Sequence, residues 1–408
     1  MIYKTCLKQG NRMHKFFHGP AGSGKTTDIA NFTKNYKSYD EISIIHCSKD
    51  GGREILNMFN LDDLRPQEDP PIKSWHRFLV DCIIRPYSPA IFLEHMISGI
   101  DYPTEAEKDE FRTGKHDLNY YNFKDNAFTP EGKVKYLYIE IITLHIISEF
   151  PNSIVNLSKM FQYIIIDDVQ LMSNEGLKIL GLLLNQQNGC KILLYGDIRQ
   201  IGLREDTKPS DNEDISDFQF SKSWFKKQQN LETKKFDTTY RFPQSIATFS
   251  DSIFKPDEKF TNTISDKNST LDHTGLFYLS ADNLGKYIEK YEPYIVRYNR
   301  GSRKEFDDLE PASFFEVKGK EFERLAILAS ESIEKFIFDK KYLGDKSASL
   351  LYLAVTRSKS SVAFVVNKIP KDLLSNNYIR FQTAQNTTLQ IKRWSPEISY
   401  NDDPNCLF

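Results

Sequence analysis

The first chemistry in the chain lies in ten residues, His-Gly-Pro-Ala-Gly-Ser-Gly-Lys-Thr-Thr at 18–27. From Gly19 through Pro20, Ala21, Gly22, Ser23, Gly24 and Lys25 to Thr26 they fit G-x-x-x-x-G-K-[ST], with Thr27 following. A loop of this composition lets backbone N–H groups close around phosphate oxygens. The helix that should follow adds the partial positive charge of its N-terminus. Lys25 would reach the β- and γ-phosphates, and the Thr26 hydroxyl would hold Mg²⁺.

A second set of acids and amides completes that chemistry. Tyr163-Ile164-Ile165-Ile166-Asp167-Asp168-Val169-Gln170 is an apolar run ending in two carboxylates. Asp167 would hold Mg²⁺ through water, and Asp168 would orient or deprotonate an attacking water. Together the two segments predict a nucleoside triphosphatase. Nucleotide kinases, GTPases, transporters and helicases all carry them, so the rest of the chain must discriminate.

These residues need strands and helices to hold them. Short apolar runs at 15–18, 42–47, 163–166, 191–195, 276–279, 294–296, 325–329 and 362–366 read as strands. Most are continuously apolar, as parallel strands covered on both faces are. Segments 27–36, 175–184 and 245–254 suit helices between them. The rhythm predicts an α/β protein of two lobes, 1–238 and 239–408. A polar, tyrosine-rich stretch from 86 to about 130 opens what reads as an insertion over about 86–159, within which the apolar run 136–150 reads as a packed helix. Residues 204–217 are acidic and read as a loop, and 256–259 as a solvated turn.

Composition sets the bounds. The chain has 408 residues and 54 Lys+Arg against 56 Asp+Glu, a net charge of −2. A histone-like polycation is excluded, so nucleic-acid binding would need a local basic groove. Cys6, Cys47, Cys82, Cys190 and Cys406 are scattered, which argues against a disulfide scaffold and for a reducing compartment. No stretch has the ~20 apolar residues of a membrane span. The expectation is a soluble cytoplasmic protein.

Beyond the phosphate motifs the chain resembles superfamily 1 helicases of the UvrD/Rep type, in order along roughly residues 19–359. Ser48-Lys49-Asp50-Gly51-Gly52-Arg53-Glu54-Ile55 is similar to T-N-K-A-A-x-E-M, and Ser74-Trp75-His76-Arg77-Phe78 to T-F-H-x-F. Asp167-Asp168-Val169-Gln170 is similar to D-E-x-Q, and Gly196-Asp197-Ile198-Arg199-Gln200 to G-D-x-x-Q. Tyr240-Arg241 resembles the Y-R of the second lobe. Val317-Lys318-Gly319-Lys320-Glu321-Phe322 resembles K-G-x-E-F, and Tyr352-Leu353-Ala354-Val355-Thr356-Arg357-Ser358-Lys359 resembles Y-V-A-x-T-R-A-K.

The resemblance implies two RecA-like P-loop lobes that close over ATP and Mg²⁺. Arg241 and Arg357 would reach the γ-phosphate from the second lobe, while Gln170 and Gln200 would sense the γ-phosphate or the water. Gly319 and Glu321 would lie at the nucleotide, Glu321 at its ribose. Ser48, Lys49, Ser74, His76, Phe315 and Lys318 would contact a single strand, DNA more than RNA. The resemblance implies a translocase or helicase moving 3′ to 5′. The alternative is a nucleic-acid-stimulated ATPase subunit that regulates a partner nuclease.

The chain departs from the pattern in ways that matter. Asp168 replaces the usual Glu, one methylene shorter, which predicts slower hydrolysis. No glutamine segment precedes the P-loop at the usual spacing, which weakens the basis for adenine selectivity. Ile201-Gly202-Leu203-Arg204 replaces the aromatic run that stacks bases; Trp75, His76, Phe78 and Phe315 are the candidate substitutes, with Trp75 as readily a core residue. Phe315 also stands where a His is usual. Seventeen residues separate Arg300 from Lys318, too few for the accessory domain of larger relatives.

Overall fold

The computed structural model describes residues 13–34, 41–48, 51–58, 71–91, 97–104, 106–107, 127–186, 188–204, 217–267, 273–367, 369, 378–382 and 388–393. Lys49 and most of the acidic stretch after Arg204 lie outside them.

Up to residue 235 the strands are β1 (His14–His18), β2 (Ile42–His46), β3 (Ile72–Ser74), β4 (Gly99–Asp101), β5 (Lys133–Lys135), β6 (Tyr163–Asp167), β7 (Lys191–Gly196) and β8 (Leu231–Lys235). Six of them make one parallel sheet in the order β3-β2-β6-β7-β1-β8. β4 and β5 pair separately, as a short parallel ribbon. The apolar runs are covered on both faces. Ile164 and Ile166 enter one core cluster, whereas Ile165 joins Ile29, Ile44 and Leu193 in another. That division is the two-residue alternation of a strand expressed in three consecutive isoleucines.

Later strands are β9 (Thr238–Thr239), β10 (Ile264–Ser265), β11 (Gly275–Ser280), β12 (Tyr294–Arg297), β13 (Ala312–Ser313), β14 (Phe322–Leu328), β15 (Ser358–Val366), β16 (Tyr378–Gln382) and β17 (Thr388–Arg393). The second large sheet runs β13-β12-β14-β15-β11-β17-β16. Its first five strands are parallel, and β17 and β16 extend it antiparallel. The α/β expectation of two lobes with parallel sheets therefore holds.

Part of the stretch expected as an insertion packs into the first lobe: helices Ile139–Glu149 and Asn152–Met160 bury Ile139, Ile142, Ile146, Ile154 and Leu157 in the first core. The apolar run 136–150 is thus the packed helix its sequence suggests. Among the described residues, the β4–β5 ribbon is what stands apart from the sheet. Residues 256–259 also differ from a solvated turn, because Glu258 is buried 3.8 Å from Lys222.

The lobes meet where helix Asp345–Val355 packs on the short helix Ile198–Leu203. Ser349 Oγ accepts from Gly202 N–H (3.1 Å) and donates to Arg199 O (2.8 Å). A Cβ on Gly202 would fall 2.8 Å from Asp345 O and Lys346 Cα, so only glycine permits this approach. No helix among the described residues is long and apolar enough to cross a membrane.

Candidate active site

Parallel strands deliver their C-terminal ends to one edge of a sheet, and loops there collect a ligand. Here β1 ends beside β7, in register from His18 to Gly196, and β2 ends beside β6, from His46 to Asp167. The loop after β1 and the carboxylates after β6 thus reach the same edge. Helix Lys25–Lys34 begins at the loop.

The loop is wound tightly. Gly22 and Gly24 take φ of +74° and +81°, which glycine adopts without a Cβ penalty. Lys25 Nζ donates to the carbonyls of Gly19 (2.9 Å) and Pro20 (2.8 Å) and to Ser23 Oγ (3.3 Å). Burial pulls its pKa down, and Asp197, Asp167 and Asp168 work against that shift.

Residues of the second lobe grip the loop. Thr239 Oγ1 donates to Ala21 O (2.9 Å), and Tyr240 N–H to Gly22 O (2.9 Å). The Ala21 N–H donates to the Tyr352 hydroxyl (2.9 Å). A Cβ on Gly22 would meet Arg241 Cβ at 2.6 Å, so this glycine also makes room for the other lobe.

Asp168 sits in the left-handed region at φ 55°, uncommon for a residue with a side chain. Its Oδ1 accepts from Gln170 Nε2 (3.1 Å), and the Ser48 hydroxyl also bonds its carboxylate. Burial would raise the Asp168 pKa, but Lys318, those two hydrogen bonds and Lys25 outweigh it and hold it below the usual value. The group is therefore ionised, as an acceptor for a water proton must be.

One cleft of about 770 Å³ gathers most of the expected residues: Ala21 to Thr27, Asp167, Asp168, Gln200, Arg241, Lys318, Gly319, Glu321 and Arg357. Arg241 Nε donates to Glu321 Oε1 (2.8 Å), and Lys359 Nζ lies 3.1 Å from Glu321 Oε2. Burial works to raise the Glu321 pKa, and the two cations overcome it and lower it.

Other expected residues stand elsewhere. Gly19 and Pro20 hold Lys25 from behind. Gln170 does not line the cleft; it is buried between Asp168 and the Asp197 N–H, which donates to its Oε1 (3.1 Å). Ser48 is buried against Asp168. Ser74 caps helix Trp75–Leu79 by accepting from Arg77 N–H (3.2 Å). Trp75 is core, its Nε1 donating to Glu140 Oε1 (2.7 Å). Phe315 is exposed.

The cleft also contains residues to which the sequence assigns no role. Phe236, Tyr240, Lys267 and Lys359 line it, and Tyr240 is 59% exposed. An exposed ring at the mouth of a phosphate cleft offers a face on which a base can stack. Tyr240 stands in the Tyr240-Arg241 pair, so the signal was present and unread.

No family model and no curated protein matches this chain. Among solved structures it is similar to the PRRSV helicase: 12% identity over 88% of this chain and 53% of that one, TM-score 0.40. It is similar to Arterivirus nonstructural protein 10, a helicase, at 11% identity over 86% of this chain and 59% of that one, TM-score 0.40. The same protein in complex with DNA gives 12% identity, 86% and 61%, TM-score 0.39. The chain thus spans 53% to 61% of the length of these structures.

The cleft suits a nucleoside triphosphate and a hard cation. Thr26 offers a hydroxyl and Asp167 a carboxylate, the all-oxygen donor set that Mg²⁺ prefers. Loop amides and Lys25 suit phosphate oxygens, and two arginines enter from the opposite lobe.

Proposed function

We propose that this chain is an ATP hydrolase that moves along single-stranded nucleic acid, DNA more than RNA, as superfamily 1 helicases of the UvrD/Rep type do. The carrying observation is the placement of Arg241 and Arg357 in the cleft of the P-loop and Asp167–Asp168, across the lobe junction. The transition state of phosphoryl transfer spreads charge over the equatorial oxygens, which cations from the facing lobe stabilise.

Lys25 and the loop amides bind the phosphates. Thr26 and Asp167 would hold Mg²⁺, which would supply charge neutralisation to the phosphates. Asp168, held ionised, takes the proton of the water that Gln200 helps to orient, and Gln170 keeps Asp168 in place. Glu321 and Tyr240 serve the ribose and base. Domain boundaries at 238/239, a 3′-to-5′ direction and a cytoplasmic location complete the reading.

The test is steady-state ATP turnover alone and with single-stranded DNA, duplex DNA and RNA. Single-stranded DNA should stimulate most. Lys25→Ala should abolish turnover, and Arg357→Ala should abolish it while ATP still binds. Undiminished turnover in Arg357→Ala would remove the assignment.

A second reading is an ATPase subunit that regulates a partner nuclease. Between Arg300 and Lys318 the chain forms only a short helix, Lys304–Leu309, the two-residue strand β13 and turns. Strand separation by the purified chain would count against it.

A further inference from the structure

The strand-contacting segment raises a question of base recognition. Trp75 and Phe78 are buried and no aromatic run follows Gln200, so base stacking rests on His76, on the exposed Phe315 or on rings from elsewhere. The β4–β5 ribbon supplies them. Tyr136, the residue after β5, packs on His76 with ring centroids 4.0 Å apart at 39°. Tyr102, the residue after β4, packs on Tyr136 at 5.6 Å and 35°. The three rings form a graded ladder that ends in Tyr102, which is 64% exposed.

The ladder is held from behind. Trp75 Nε1 donates to Glu140, Ser173 Oγ donates to the other carboxylate oxygen, and Glu140 lies one helical turn after Tyr136. The parallel pairing of β4 and β5 sets Asp101 against Lys135, which places the next residues, Tyr102 and Tyr136, side by side. The rings follow directly on paired strands, and His76 at the base of the ladder lies 3.9 Å from Glu140, which Trp75 and Ser173 hold in place.

Its position and charge suit a strand. His76 follows β3, so it lies at the same sheet edge as the P-loop, with β3 four places from β1. That separates them by about 19 Å at ~4.8 Å per strand. The helix bearing His76 also carries Arg77, which with Lys73 and Arg85 surrounds the single carboxylate of Asp81. Around Asp81 three cations face one anion, which leaves positive charge on the helix that bears His76, whereas Asp101 and Glu140 flank the rings themselves.

We propose that Tyr102, backed by Tyr136 and His76, is a stacking platform for a base of single-stranded nucleic acid. It rests on the nucleic-acid reading above and adds a binding site that the motifs do not contain. Stacking is tolerant of sequence, because every base has a π-face.

The test is anisotropy titration of fluorescein-labelled oligothymidine with the full chain. Tyr102→Ala should weaken binding about tenfold and Tyr102→Phe by less than about twofold. The slope of affinity against salt should not change, because no phosphate contact is lost. Turnover of ATP without nucleic acid should also stay the same. An oligonucleotide carrying 5-iodouracil should photocrosslink to the peptide containing Tyr102. Wild type that binds, with Tyr102→Ala binding equally, overturns this inference alone; wild type that binds no oligonucleotide overturns the nucleic-acid reading beneath it.

Discussion

The Tyr352 hydroxyl donates to Asp197 Oδ2 at 2.7 Å while it accepts the Ala21 amide at 2.9 Å. One phenol from the second lobe thus joins the phosphate loop to the acid after β7. Both contacts are buried, and burial pushes the phenol pKa well above its usual value. The hydroxyl therefore keeps its proton and its role as donor.

Tyr352→Phe keeps the ring and removes the link. The Ala21 N–H loses its acceptor and Asp197 Oδ2 its closest donor. A buried polar group left unsatisfied costs about 1–3 kcal/mol. The unfolding free energy in urea should fall by that amount at constant m-value, and nucleotide affinity should fall with it.

Arg199 is a second lobe-to-lobe tie. It is 1% exposed and donates to Asp251 Oδ1 (3.1 Å) and Thr261 O (2.6 Å). Arg199→Leu leaves the Asp251 carboxylate facing an apolar side chain, which should cost about 3–5 kcal/mol. Adding Asp251→Asn removes the stranded charge and should recover part of the loss. A double-mutant cycle in urea gives the coupling, and additive losses would disprove the tie.

Glu140 predicts a pH dependence. Burial raises its pKa to about 7, against the hydrogen bonds from Ser173 and Trp75; Glu175 adds to the rise and Arg204 opposes it. The folded state therefore keeps a proton that the unfolded state has released above about 4.5. Its stabilising effect is complete below that pH and is lost as pH rises to about 7. The span is worth about 3 kcal/mol. The unfolding free energy from urea titrations should fall from pH 4.5 to 7 by this contribution, and in Glu140→Gln that fall should vanish.

Two glycines in the loop separate local strain from lobe contact. A Cβ on Gly24 would have nothing within 4 Å, so Gly24→Ala should cost only the ~1–2 kcal/mol of a left-handed alanine. Gly22→Ala adds the clash with Arg241 and Thr239, about 1–3 kcal/mol more. Equal losses in thermal unfolding would show that the second lobe does not press on the loop.

The motifs that hold Lys25, Thr26, Asp167 and Asp168 are contiguous in sequence, so their meeting in one cleft is legible there. The ties between lobes are not. Tyr352 reaches Asp197 and Arg199 reaches Asp251 across long stretches of chain, where no spacing announces a partner. β8 was missed because Leu-Glu-Thr-Lys-Lys is polar, which its edge position allows. The ladder was missed for a related reason. Its tyrosines lie in the stretch read as an insertion, and pairing between β4 and β5 brings them together.

Asp168 holds its carboxylate on a left-handed backbone, φ 55°. Asp and Asn occupy this region several-fold more readily than other side chains. A glutamate here would put a longer side chain on a backbone conformation that favours short polar residues, so the turn that follows Asp168 and the reach of its acid are coupled in this fold.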